Sequence, residues 1–216
     1  MILTLSKAYF SQPSVIVVFG RPGSGKTTIA NRALDLLGGD DSDNNLHCIG
    51  LDLDVCVPQW MKDNFSKGIY PTLQQRQEFA KDCCAYVEQQ FQQEQSKKYA
   101  AQRLAALISF SFVNTDLRDV FRSQFPHAVW ILVDTSEEVS NLRIQQREGH
   151  FYGGKPDEPP PKEEKEETTE ADNSEWNFAP VTFQHHILDG NTAIDDTAKK
   201  VADIVRETSA TKATEE

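Results

Sequence analysis

Residues 15–34 read VIVVFGRPGSGKTTIANRAL, and this stretch decides the fold. Val15 to Val18 are β-branched, and nothing polar interrupts the run before Phe19. A strand covered on both faces in a parallel sheet has this pattern. Residues 20–27, GRPGSGKT, then fit G-x-x-x-x-G-K-[ST] in full, and from Thr27 to Leu37 the pattern turns helical. The motif requires that context, a strand leading into it and a helix leading out. Gly20, Gly23 and Gly25 let successive backbone N–H groups turn inward around phosphate oxygens, and the helix adds the positive end of its dipole. Arg21, Pro22, Ser24 and Thr28 complete the candidate nucleotide site. Lys26 is expected to reach the β- and γ-phosphates and Thr27 to offer its hydroxyl to Mg²⁺. A turn that merely joins strand to helix does not need five specified positions. The loop is therefore expected to hold a nucleoside triphosphate with magnesium.

Outward from this loop, 216 residues suit a single domain with one insertion, residues 1–216 in all. The net charge of −11 and pI near 4.9 argue against general nucleic-acid or anionic-membrane binding, which needs basic surface. Residues 155–175, KPDEPPPKEEKEETTEADNSE, carry nine acids against three lysines. They cannot bury enough apolar surface to order themselves, so residues 153–178 read as a mobile acidic lid insertion. Residues 208–216, TSATKATEE, read as a disordered tail. Cys48, Cys56, Cys83 and Cys84 show no C-x-x-C spacing, so reduced thiols in a cytoplasmic protein are expected. The first twenty residues read as no targeting signal, and the apolar run is too short for a membrane span.

Further strands are expected at 46–54 (LHCIGLDLD), 104–113 (LAALISFSFV), 127–134 (HAVWILVD) and in HHILDG. Between them lie helical patterns: a short one at 56–68, a glutamine-rich one from Thr72 to about Lys98, TDLRDVFRSQ from a Thr or Asp cap, and SEEVSNLRIQQREG from Ser136 to Gly149. TAIDDTAKKVADIVRE is the last. Phe79, Cys83, Tyr86, Val87 and Phe91 recur at helical spacing, which makes the nine glutamines between 74 and 102 a wet face. Strand–helix alternation throughout means a three-layer α/β/α fold on a parallel sheet.

No D-x-x-G after a strand and no N-K-x-D follows the loop, which removes the GTPase class. Asp52 and Asp54 close the second strand and in extended chain share one face, at the end that opens on the ligand crevice. One carboxylate can hold a magnesium-bound water while the other accepts a hydrogen bond from an acceptor hydroxyl. They can equally be solvated loop acids, since Asp is common at strand ends. Arg143 and Arg147, four apart on a helix beside the insertion, are either a solvated face or mobile cations able to neutralise a transferring phosphoryl group.

The chain resembles the gluconokinase group of P-loop kinases, cousins of the shikimate kinases. GRPGSGKTT is similar to that group's phosphate loop and LDLD to its aspartate pair. GIYPTLQQR keeps the glycine-to-arginine spacing, Gly68 to Arg76, of its substrate-side helix entry. RIQQREGHF matches its arginine, arginine, glycine, histidine, phenylalanine run. The resemblance implies a five-stranded parallel sheet of order 2-3-1-4-5 and phosphoryl transfer from ATP to a hydroxyl of a small, anionic acceptor. It implies catalysis by Lys26, Asp54 and Arg147 and metal ligation by Thr27 and Asp52. It further implies nucleotide contact by Arg143 and acceptor contacts by Asp54, Arg76, Arg118 and His150. Three departures fall on the acceptor side. Asn114 stands where the group has lysine, Leu73 and Gln75 stand where it has acids, and the insertion replaces a Leu-Leu-x-Ser-Gln segment. A nucleoside or nucleotide kinase and a non-catalytic ATP-binding module are the other readings the residues allow.

Overall fold

The computed structural model describes residues 12–38, 40–41, 45–97, 103–146 and 178–211. Arg147, His150, nearly all of the acidic stretch and residues 212–216 lie outside the described residues.

Strand β1 (Ser14–Phe19) is buried at all six positions. Its pleat divides the core. Val15, Val17 and Phe19 enter one cluster with Phe79 and Val87, while Ile16 and Val18 enter another with Ile29, Ala33 and Val201. Two apolar faces per strand is what a central parallel strand requires, at about 1.5–3 kcal/mol for each large side chain buried. β2 (Asp40–Asp41), β3 (Leu46–Asp52), β4 (Arg103–Phe110), β5 (Val129–Asp134) and β6 (His186–Asp189) complete the sheet, in order β2-β3-β4-β1-β5-β6. The five parallel strands follow the expected order 2-3-1-4-5. Two-residue β2 pairs antiparallel with β3 at one edge, in a stretch too short to show any periodicity in sequence.

Helix α1 (Lys26–Leu37) and α6 (Ile194–Thr211) cover one face; α2 (Gln59–Phe65), α3 (Leu73–Gln95) and α4 (Thr115–Gln124) cover the other. A capping box holds the start of α3, where Thr72 Oγ1 accepts from Gln75 N–H and the Gln75 side chain accepts from Thr72 N–H. The expected stripe is its buried face, with Tyr86 half-buried. α5 (Glu137–Gln145) is capped by Ser136 as expected.

Several boundaries shift. β4 ends at Phe110 instead of 113, because Phe112 takes a left-handed conformation (φ 44°) that breaks the extended run. The cap of α4 is Asn114, outside the Thr or Asp expected. Residues 208–211, assigned to a loose tail, are helical in α6. Ser209 is buried there, and its carbonyl accepts from Arg103 Nη1 at 2.7 Å. Among the described residues no helix is long and apolar enough to cross a membrane.

Candidate active site

The loop between β1 and α1 sits at the carboxyl end of a central strand, where a parallel sheet collects ligands. Gly25 is the N-cap of α1 with φ 91°, a conformation that side chains resist. At Gly23 a Cβ would stand 2.4 Å from the Ser140 carbonyl oxygen, so only glycine lets the loop lie against α5. Neighbouring strands tether the loop. Thr135, just past β5, donates to Ser24 O (3.4 Å), and Arg143 Nη1 donates to the same carbonyl (3.3 Å). Lys26 is 9% exposed and donates across the loop to Arg21 O at 3.5 Å. Ser109, near the end of β4, donates to Thr27 Oγ1 at 3.5 Å.

Thr27, Thr28, Asp52 and Asp54 border a single cleft of about 700 Å³ that runs along α1 past Asn31, Arg32 and Asp35 to Asp195. Four carboxylates against one guanidinium, itself bound to Asp195 at 2.7 Å, make this cleft acidic. It suits a divalent cation and the magnesium complex of a nucleotide. No cluster of three or more His, Cys, Asp or Glu able to hold a metal exists among the described residues. The constrained glycine loop, Lys26, the Thr27 hydroxyl and the acidic cleft all fit a Mg–ATP complex.

Asp52 and Asp54 are brought together, but not by pleating. The strand ends at Asp52, and residues 53–56 form a 3₁₀ turn. Asp52 Oδ1 caps that turn, accepting from Asp54 N–H at 3.0 Å. Asp52 thus positions Asp54 besides lining the cleft.

Arg118 departs furthest from expectation. It is 1% exposed; Nε donates to Phe112 O, Nη1 to Ala179 O and Pro180 O, and Nη2 to Val113 O, at 2.7–3.1 Å. Its guanidinium lies 4.5 Å from the Phe178 ring centroid, and desolvation lowers its pKa to about 10. An arginine so enclosed ties the β4–α4 turn to residues 179–180 and cannot meet an acceptor, so that assignment is withdrawn. Arg143 is likewise no swinging cation. Bonded to Ser24 O and through Nη2 to Gly190 O (3.2 Å), it joins the phosphate loop to the turn after β6. Arg76 lies near the start of α3, with Nε donating to Asp116 Oδ2 and Nη1 to Pro71 O, each at 2.8 Å.

Ser109 and Thr135, which bond to the phosphate loop, and Ser111, in the neighbouring crevice, are marked by no motif. Ser109 and Ser111 were legible as polar interruptions in LISFSFV at a strand's carboxyl end. Asn114 Oδ1 is buried without a hydrogen-bond partner among the described residues.

The turn that carries Asp54 ends at half-buried Cys56, whose thiol bonds with Cys83. That bond pulls the Cys56 pKa below the ordinary thiol value and, with burial, pushes Cys83 up; burial raises Cys48 and Cys84 to about 12. Ellman's reagent is expected to titrate one thiol quickly, Cys56, and the other three only on unfolding. Two or more fast equivalents would contradict this packing.

The AAA domain family matches residues 15–168, and the chain belongs to that family of P-loop nucleotide-binding domains. No protein of curated function matches it. Among solved structures it is similar to a sugar kinase from Janibacter sp. HTCC2649, with TM-score 0.62 and 19% identity over 91% of this chain and 98% of that one. It is similar also to the APS kinase CysC of Mycobacterium tuberculosis (0.53, 14%, 89% and 97%) and to a gluconokinase from Sinorhizobium meliloti 1021 (0.50, 21%, 94% and 93%). At these identities the likeness establishes the fold alone, a three-layer α/β/α P-loop domain.

Proposed function

We propose that the protein is an ATP-dependent kinase that transfers the γ-phosphoryl group to a hydroxyl of a small, anionic metabolite. The observation that carries the reading is the single cleft in which Thr27, directly after the phosphate loop, faces the Asp52–Asp54 turn. Lys26 and the loop N–H groups bind and orient the triphosphate. Thr27 and Asp52 would hold Mg²⁺, which when bound neutralises phosphate charge. Asp54 accepts the proton of the acceptor hydroxyl as it attacks phosphorus, and the β–γ bridging oxygen leaves with ADP. By the resemblance of RIQQREGHF, this reading gives Arg147 the charge developing during transfer and His150 a contact with the acceptor. The tethers of Arg143 hold the loop for the nucleotide. Four unpaired thiols suit a reducing, cytoplasmic setting.

Coupled ADP release over sugar acids, polyols, cyclic and branched hydroxy acids and nucleoside monophosphates tests the proposal. One small acceptor should raise the rate well above slow ATP hydrolysis. Stimulation by nucleoside monophosphates alone would make the protein a nucleotide kinase, and silence across the panel would leave a non-catalytic binder. Asp54→Asn should lower kcat by about 10² or more with ATP affinity kept. Asp52→Asn retains an oxygen for the turn and should instead raise the magnesium requirement. Magnesium titration of both variants checks this, and reversed phenotypes would exchange the two roles.

A further inference from the structure

Of the eight exposed large apolar side chains among the described residues, five fall within 55–73: Val55, Trp60, Ile69, Tyr70 and Leu73. This stretch starts one residue after Asp54 and runs through α2 to the first residue of α3. Below it lies a crevice walled by Val57, Met61, Phe65, Phe79, Phe110 and Leu117, with Arg76 and Ser111 its polar groups. Asp52 pairs in register with Ser109 of β4, so Phe110 and Ser111 bring the crevice up beside the aspartate turn. Its free volume of about 20 Å³ admits one methyl-sized group. The Tyr70 ring packs 6.2 Å from the ring centroid of Phe65, one of its walls. At the edge, Arg76 Nη2 has no hydrogen-bond partner among the described residues, while Nε and Nη1 hold the side chain on Asp116 and Pro71.

A polyhydroxylated chain fits this wall poorly. Each hydroxyl pressed against apolar side chains without a partner loses its water, at about tenfold in affinity. Exposed aromatic residues in the segment that follows Asp54, with one anchored guanidinium at the crevice, match a different molecule.

We propose that the acceptor is an apolar-bodied hydroxy acid, with its alkyl or aryl skeleton against Trp60 and Tyr70 and its carboxylate on Arg76 Nη2. Its reacting hydroxyl then points back to Asp54. Sugar acids, which carry a hydroxyl on nearly every carbon, are excluded as the preferred substrate. This inference rests on the kinase reading, and the two fail differently.

The experiment compares kcat/KM in coupled ADP release for gluconate, pantoate and 4-(hydroxymethyl)benzoate, each with one carboxylate and a primary alcohol. One of the two apolar-bodied acids should exceed gluconate by at least tenfold. Trp60→Ala and Tyr70→Ala remove exposed side chains and should fold. Each should raise KM for the favoured acid about tenfold, with kcat within threefold of wild type. A ratio below tenfold, or an unchanged KM in both variants, overturns the acceptor chemistry and leaves the kinase standing. If none of the three acids stimulates but another small acceptor does, only this inference falls. If no acceptor of any kind stimulates, both fall.

Discussion

Replacing Lys26 with alanine is expected to abolish phosphoryl transfer, a loss of about 10³-fold or more, or ~4 kcal/mol of transition-state stabilisation. Lys26 is the one lysine of the loop, and it already spans it to Arg21 O. Its ammonium is placed to move from that carbonyl to the phosphate oxygens that occupy the loop. The fold should survive. Loop position is fixed by Thr135, Arg143 and the approach of Gly23 to α5, none of which involves the lysine side chain. Initial rates and melting temperature of the purified variant decide the matter. A normal rate of ADP release would mean that the donor site is elsewhere, and a collapsed melting curve would mean that Lys26 is structural.

Arg118→Leu is expected to cost stability on a comparable scale, about 3–5 kcal/mol out of a total of ~5–15. The substitution leaves the carbonyls of Phe112, Ala179 and Pro180 without the guanidinium that bridges them, at ~1–3 kcal/mol for each group that finds no water. Leucine keeps apolar packing against Phe178 and Phe19 but no donor. For a domain of this size the melting temperature should fall by roughly 10 °C. Arg118→Lys keeps the charge but cannot span four carbonyls, so it should lie between wild type and leucine. Sign follows from the lowered pKa: burial disfavours the charged form and the Asp119 charge favours it, and with a pKa of about 10 the guanidinium is charged at neutral pH, so the loss is present there. A leucine variant as stable as wild type, with lost activity instead, would return Arg118 to the acceptor site.

The donor half was legible because its signals are local. A glycine loop, the strand before it and the helix after it are contiguous in sequence, and apolar runs at 15–19 and 104–108 announce buried strands. The half beyond β4 was less legible because long-range packing sets it. Nothing in TDLRDVFR says that Arg118 turns inward to carbonyls sixty residues on, since an arginine at that spacing looks the same on a wet face. The aspartate pair was found for the wrong geometric reason. Alternation along an extended strand suggested a shared face, whereas a 3₁₀ turn capped by Asp52 itself brings Asp54 into the cleft. Positive φ at Phe112 was equally hidden, because a buried aromatic cluster with Phe110, Phe121 and Trp130 holds it there.

The most direct test of phosphoryl transfer follows the label. ATP carrying ³²P at the γ-position is incubated with the protein, with and without a protein-free small-molecule filtrate of cells, and Lys26→Ala runs in parallel. Label is expected in an acid-stable organic phosphomonoester, only with wild-type protein and only with filtrate. Label confined to inorganic phosphate, at the same rate with and without filtrate, would contradict the kinase assignment.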